Sequence, residues 1–116
     1  MACRFEDYSG LNYKIPEKTT AWNMYNAGVE HIGRNGKPEE FPIAEPDDDQ
    51  LLVRVDSVGL CFSDVKMIKL GGSHPKLYNR DLSTDPTRVG HEVALTVVKA
   101  GKNLDGKYHP GQRLAI

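Results

Sequence analysis

The sequence is poor in cysteine, with only Cys3 and Cys61 among its 116 residues. Two cysteines are too few for a self-contained four-cysteine zinc site. Because nothing in the sequence indicates export, we expect two free thiols in a reducing compartment, and a Cys3–Cys61 disulfide is the less favoured interpretation.

Long hydrophobic runs and a charge excess are missing as well. No apolar stretch is long enough to span a membrane, and residues 1–7 lack a signal-peptide core, so we expect a cytoplasmic location. The chain has 15 basic and 16 acidic side chains, for a formal net charge of −1. That balance predicts neither a nucleic-acid partner nor a membrane partner.

What the sequence has in quantity is glycine and proline, 11 and 7 residues respectively. This composition favours many short elements over long helices, and the length suits one domain with its own core. We expect an extended N-terminal arm over residues 1–19 and one mainly β domain over residues 20–116.

The strand predictions depend on apolar residues that alternate along the chain. In Leu51–Gly59, Val53 and Val55 share one face with Leu51, while Arg54 and Asp56 point the other way. Residues 93–98 are predicted to form a second strand, residues 112–116 to begin another, and residues 20–32 to contain one or two. The Asn-Gly pair at 35–36 predicts a type I′ hairpin turn.

One short helix is predicted over residues 64–70, with Ser63 as its N-terminal cap and glycines 71 and 72 as its end. Residues 73–88 and the acidic run 47–49 are predicted to be loops. The helix matters for chemistry because Cys61 lies just before it, where the helix dipole favours a thiolate. Such a cysteine is a metal ligand, a nucleophile or an inert buried residue.

A Gly-His-Glu sequence at residues 90–92 supplies a second group of reactive side chains. Histidine is the commonest metal ligand, and a neighbouring carboxylate can bind or orient a metal. The two-histidine motif of zinc proteases is excluded, because Leu95 stands where the second histidine would be.

Taken together, Gly-x-Cys-x-Ser-Asp at 59–64, Gly-His-Glu at 90–92 and Pro-Gly-Gln-Arg-Leu at 110–114 resemble a known family. They are similar to the N-terminal half of the catalytic domain of medium-chain zinc-dependent alcohol and polyol dehydrogenases. The resemblance covers about residues 20–116. It implies a mainly β, GroES-like, partly open β-barrel with one short helix, truncated from a larger two-domain protein. Leu95 and Gln112 depart from the family pattern at positions where strand packing is at stake.

The resemblance also implies roles for five side chains. Cys61 and His91 would bind a catalytic zinc, and Glu92 would be a ligand or a close neighbour of the metal. Ser63 would pass the substrate's proton towards solvent, and Asp64 would orient the histidine. The remaining zinc ligand and the domain that binds NAD(P) would lie beyond residue 116, so this chain holds no residues for the nicotinamide cofactor and should be inactive alone.

The implied reaction is hydride transfer between an alcohol, polyol or sugar and NAD(P), in a homo-oligomeric parent protein. A sugar phosphate is included, since His74, Lys76 and Arg88 could meet a phosphate, although solvated loop charges are the favoured interpretation. Alternatives are a zinc-free quinone or enone reductase of the same superfamily, and a non-enzymatic GroES-like interaction module. A cysteine hydrolase using Cys61 and His91 is a further alternative, for which no oxyanion donors are evident.

Overall fold

The computed structural model describes residues 14–116, which form short strands and one α-helix. The helix, α1, covers Phe62–Leu70. The strands are β1 (Lys18–Ala21), β2 (Asn23–Met24), β3 (Glu39–Pro42), β4 (Leu51–Gly59), β5 (Thr87–Arg88), β6 (Glu92–Ala100) and β7 (Arg113–Ala115). Two single-turn 3-10 helices cover Val29–His31 and Gly71–Ser73. This content confirms the predicted mainly β fold with one short helix.

The strands form three separate sheets. Strand β1 pairs with β3, β2 pairs with β5, and the third sheet has the order β4-β6-β7. The β1–β3, β2–β5 and β6–β7 pairs are antiparallel. The sheets of the described residues are thus not joined into one closed ring of strands, in agreement with an open arrangement. No helix among residues 14–116 has the length and apolar character needed to cross a membrane.

The described chain divides into two compact units, one with residues 14–17, 43–58 and 93–116, and the other with residues 18–42 and 59–92. Cys3 and most of the predicted N-terminal arm lie outside the described residues. The last two residues of that predicted arm, Lys18 and Thr19, belong to β1.

In the first unit, a polar cluster lies where a strand face meets its neighbours. Asp56 accepts hydrogen bonds from Arg54 Nε at 2.6 Å, Thr96 Oγ1 at 2.5 Å and Arg113 Nη1 at 3.1 Å. The predicted alternation of β4 holds, but its polar face is covered: Arg54 and Asp56 are mostly buried, whereas Val55 is 54% exposed. Charged residues tolerate such burial because they are paired.

The two departures from the family pattern are both accommodated in the first unit. Leu95 is buried in β6 and lies opposite Leu114 of β7. The Gln112 side chain accepts a hydrogen bond from the backbone N–H of His109 at 3.1 Å. Gln112 thereby closes the predicted turn at residues 109–111 before β7 begins.

The second unit is built around a small apolar core. Met24, Leu77 and Leu82 are buried, and four partly buried residues, two of them from α1, pack against them: Ile32, Met67, Ile68 and Val89. Two of the three core residues belong to the loop predicted at 73–88. This loop lacks regular structure over most of its length, and it nevertheless supplies packing to the unit that contains the reactive side chains.

A hairpin and a missed strand complete the second unit. Asn35 and Gly36 both have positive φ, at 54° and 70°, and Arg34 and Lys37 exchange backbone hydrogen bonds. This confirms the predicted type I′ turn. Strand β3 was not predicted, because prolines at both sides of residues 39–41 indicated a connector; it forms as a partner of β1.

Candidate metal centre

Cys61 is placed by the start of α1, for which it is the N-cap residue. Its backbone is extended, and its backbone N–H donates to Asp64 Oδ2 at 3.0 Å. The Cys61 sulfur lies opposite the backbone N–H of Asp64, which completes a capping box. The prediction of Ser63 as cap was wrong by two positions, because cysteine is not among the usual capping residues.

Asp64 connects the start of the helix to the Gly-His-Glu segment. Its side chain is buried, with 3% of the residue exposed. Besides the Cys61 N–H, it accepts the backbone N–H of Gly90 at 2.8 Å, and His91 Nδ1 lies 3.3 Å from its Oδ1. One carboxylate therefore holds both segments that carry the candidate ligands.

Two opposing effects act on the pKa of Asp64. Burial raises the pKa, because it disfavours the charged form. The hydrogen bonds from the Cys61 and Gly90 backbones, together with His91, more than offset burial, and the pKa lies below its ordinary value. Asp64 is thus an anion at neutral pH, and it favours a proton on Nδ1 of His91, which leaves Nε2 free to bind a metal.

The candidate ligand atoms are close together. Cys61 Sγ and His91 Nε2 are 3.5 Å apart, and with a Glu92 carboxylate oxygen they all lie within 4.8 Å of one another. At a tetrahedral zinc with bonds of about 2.3 Å to sulfur and about 2.0 Å to nitrogen, these two atoms would be about 3.5 Å apart. The donor types and their spacing therefore fit zinc.

Ser63 lies beside this cluster on the first turn of α1. Its Oγ is 2.9 Å from Cys61 Sγ, and the residue is exposed. The His91 side chain is 56% exposed, and Cys61 is half-buried. Three candidate ligand atoms and one hydroxyl thus lie together on exposed or half-buried residues.

The residues considered for phosphate binding are not gathered at this site. His74 is buried and its Nδ1 accepts the backbone N–H of Lys76 at 3.2 Å. Arg88 donates to Asn23 Oδ1 at 3.0 Å and lies over the ring of Phe41. His74 and Arg88 have structural roles in the second unit.

A cavity of about 230 Å³ lies elsewhere in the second unit. Its lining includes Arg80, Asp81 and Ser83, but their polar groups are already paired. Arg80 binds the Asp85 carboxylate and the carbonyl of Pro86, and Ser83 donates to Asp81. The candidate functional groups of the second unit therefore lie at Cys61 and His91 rather than in this cavity.

The structure brings together the five side chains that the sequence predicted, and it shows two contacts that were not predicted. These are the capping role of Cys61 and the N–H that Gly90 donates to Asp64. The first has a sequence signal, since Cys-x-x-Asp matches the spacing of a capping box. The second has none, because it depends on the positive φ of Gly90, which is 90°.

Comparison with known proteins shows the family of the chain. The sequence model of the alcohol dehydrogenase GroES-like domain matches residues 47–116. The chain is 42% identical over 76 residues to the uncharacterized protein YggP of Escherichia coli. The match covers 66% of this chain and 18% of YggP. The chain is 37% identical over 90 residues to sorbitol dehydrogenase of Bombyx mori. This match covers 78% of the chain and 24% of that enzyme.

A third relative is L-sorbose 1-phosphate reductase of Klebsiella pneumoniae, 33% identical over 100 residues. The match covers 86% of this chain and 23% of that protein. The chain thus spans about a fifth of the length of the curated relatives it matches.

Proposed function

The chain belongs to the alcohol dehydrogenase GroES-like domain family, and from this premise we propose that it is part of a zinc-dependent oxidoreductase. The enzyme would transfer a hydride between an alcohol or polyol and a nicotinamide cofactor. The observation that carries the proposal is the 3.5 Å separation of Cys61 Sγ and His91 Nε2, with Asp64 on the other nitrogen of the imidazole.

Cys61, His91 and Glu92 would hold the metal. Zinc, when bound, supplies a Lewis acid that lowers the pKa of an alcohol oxygen. The Asp64 carboxylate keeps the His91 ring oriented, and its buried position between two backbone N–H groups prevents it from turning away. Helix α1 contributes as well, since Cys61 is its N-cap residue and is therefore fixed at the start of the helix.

Ser63 would accept the proton of the substrate hydroxyl and pass it to solvent. Its hydroxyl lies next to the ligand cluster, and the residue is exposed, so it can exchange protons with water. The hydride would be received by the nicotinamide ring. No glycine-rich phosphate-binding loop occurs in the 116 residues, so the cofactor would bind to another part of the enzyme.

A polyol or sugar is the proposed substrate class, since two of the relatives are named for sorbitol and sorbose phosphate. For a sugar phosphate, the support from this chain is limited to Lys76, because His74 and Arg88 are engaged in the fold. A homo-oligomeric enzyme in the cytoplasm remains the prediction. The assembled donor set favours this proposal over a zinc-free reductase or an interaction module, neither of which needs it.

The test is a zinc titration of this chain by calorimetry. Wild type, Cys61→Ser and His91→Ala are compared, with His109→Ala as a control that removes an exposed histidine in the first unit. We expect binding in wild type and in the control, and its loss in the other two variants. Equal binding by all four proteins would refute the metal site.

A further inference from the structure

Gly59 ends β4 directly opposite the side chain of Glu92. A Cβ placed on Gly59 would lie 3.2 Å from Glu92 Oε2 and 3.3 Å from Glu92 Cβ. These separations are tighter than ordinary van der Waals contact, so a side chain at position 59 would require Glu92 to move. The absence of a side chain at position 59 therefore lets the Glu92 carboxylate lie where it does without a shift of a few tenths of an ångström.

Backbone conformation does not explain a glycine here. Gly90 and Gly71 have positive φ, at 90° and 53°, but Gly59 does not have a φ in that range. Within a strand, glycine is destabilising relative to residues with a side chain. Glycine fits position 59 because it has no side chain to contact Glu92.

We propose that Gly59 is a positioning residue for the metal centre: its missing side chain allows the Glu92 carboxylate to lie beside Cys61 Sγ and His91 Nε2. The inference rests on the proposed function, because it takes Glu92 to be a zinc ligand. It assigns the glycine of the Gly-x-Cys segment a role in ligand placement, through a contact with the other ligand-bearing segment. Gly59 itself would touch neither metal nor substrate.

A double-mutant cycle on zinc affinity tests this dependence. The proteins are wild type, Gly59→Val, Glu92→Ala and the double variant, each titrated with zinc against a chelator of known affinity. We expect Glu92→Ala to weaken binding by about 10- to 100-fold, and Gly59→Val to weaken it to a similar extent. In the double variant, Gly59→Val should cause no further loss, because the carboxylate that it displaces is gone.

The result that overturns the inference is an unchanged affinity in Gly59→Val, or an equal loss with and without Glu92. Additive losses would mean that position 59 acts by some other route. Cys61→Ser and His91→Ala are titrated in the same series. If they abolish binding while the cycle is additive, the metal site stands and only the role of Gly59 fails; if wild type binds no zinc, both are overturned.

Folding is checked by urea unfolding without metal. Valine is favoured in strands, and this preference opposes the cost of displacing Glu92, so we expect Gly59→Val to remain folded; its loss of zinc affinity would then not reflect unfolding. Ser57→Val, at an exposed position of the same strand, controls for the gain in strand preference and should bind zinc normally. If Gly59→Val does not fold, Gly59→Ala decides the question with the same cycle and a smaller loss.

Discussion

At the scale of single residues, Asp64 is the side chain on which the site most depends. Its two oxygens accept backbone N–H groups from Cys61 and Gly90, and the same carboxylate faces His91 Nδ1. An isosteric amide could accept only some of these bonds, because its nitrogen is a donor. The Asp64 carboxylate therefore fixes the positions of both Cys61 and His91.

We predict that Asp64→Asn weakens zinc binding by about 10- to 100-fold, since loss of a group that orients a metal-binding histidine has effects of this size. Calorimetry on the purified chain measures it. Asp81→Asn is the matched control, because Asp81 is exposed and its carboxylate accepts hydrogen bonds from the neighbouring Ser83. Zinc affinity in Asp64→Asn equal to that of the control would contradict the orienting role.

At the scale of elements, Asp56 connects three strands of one sheet through Arg54, Thr96 and Arg113. Burial raises the pKa of Asp56, but the hydrogen bonds from Thr96 and Arg54 and the charges of both arginines bring it below its ordinary value of 3.8. A carboxyl whose pKa is lower in the folded state binds fewer protons there than in the unfolded state. Its contribution to stability is therefore complete above pH 3.8 and is lost as the pH falls further.

Replacement of Asp56 by asparagine should remove this acid-dependent contribution. At neutral pH we expect Asp56→Asn to lower the free energy of unfolding by about 1–3 kcal/mol, because the amide is uncharged and its nitrogen cannot accept the hydrogen bonds that the carboxylate accepts. Below pH 3.8 the difference from wild type should shrink as the pH falls. Urea unfolding across acid pH tests this, with exposed Asp48→Asn as control; a difference that does not change with pH would count against it.

The end of α1 gives a second prediction at this scale. Gly71 has φ 53°, and a Cβ there would lie 2.7 Å from the backbone nitrogen of Ala27. A Cβ on Gly72 would have no neighbouring atom within 4 Å among the described residues. We expect Gly71→Ala to destabilise the chain by about 1–3 kcal/mol through strain and overlap. Gly72→Ala should change stability by less than about 0.5 kcal/mol. Equal thermal unfolding curves for the two variants would refute the difference.

These elements also show what the sequence could predict and where it stopped. The bounds of β4 were predicted correctly because its alternation is regular and a glycine ends it. That Arg54 and Asp56 would be covered could not be predicted, since it depends on Thr96 and Arg113 in strands far along the chain. The candidate ligand residues were predicted from their order and neighbours, but their separation is a property of the folded chain.

At the scale of the whole molecule, the three candidate ligands and Asp64 all belong to the unit formed by residues 18–42 and 59–92. The polar cluster of Asp56 belongs to the other unit. A ligand that binds only the native form stabilises, against unfolding, the part of the chain that unfolds together with the binding site. Local opening usually involves such compact units rather than single residues.

We therefore predict that zinc slows amide hydrogen exchange mainly in residues 18–42 and 59–92. At a free zinc concentration 100 times the dissociation constant, the stabilisation of this unit should be about 2.7 kcal/mol. Exchange followed by mass spectrometry, with and without zinc, measures it, and His91→Ala provides the control without a metal effect. Equal slowing of exchange in both units would show that they open as one and would contradict the prediction.

The capping role of Cys61 has a consequence for how such a domain can evolve. Serine is a better N-cap than cysteine, and its hydroxyl can take the same place opposite the backbone N–H of Asp64. A single-base change converts a cysteine codon into a serine codon, so one mutation removes the sulfur while the helix keeps its cap. The proposed metal site could thus be lost from a lineage, and regained by the reverse mutation, while the helix keeps its cap.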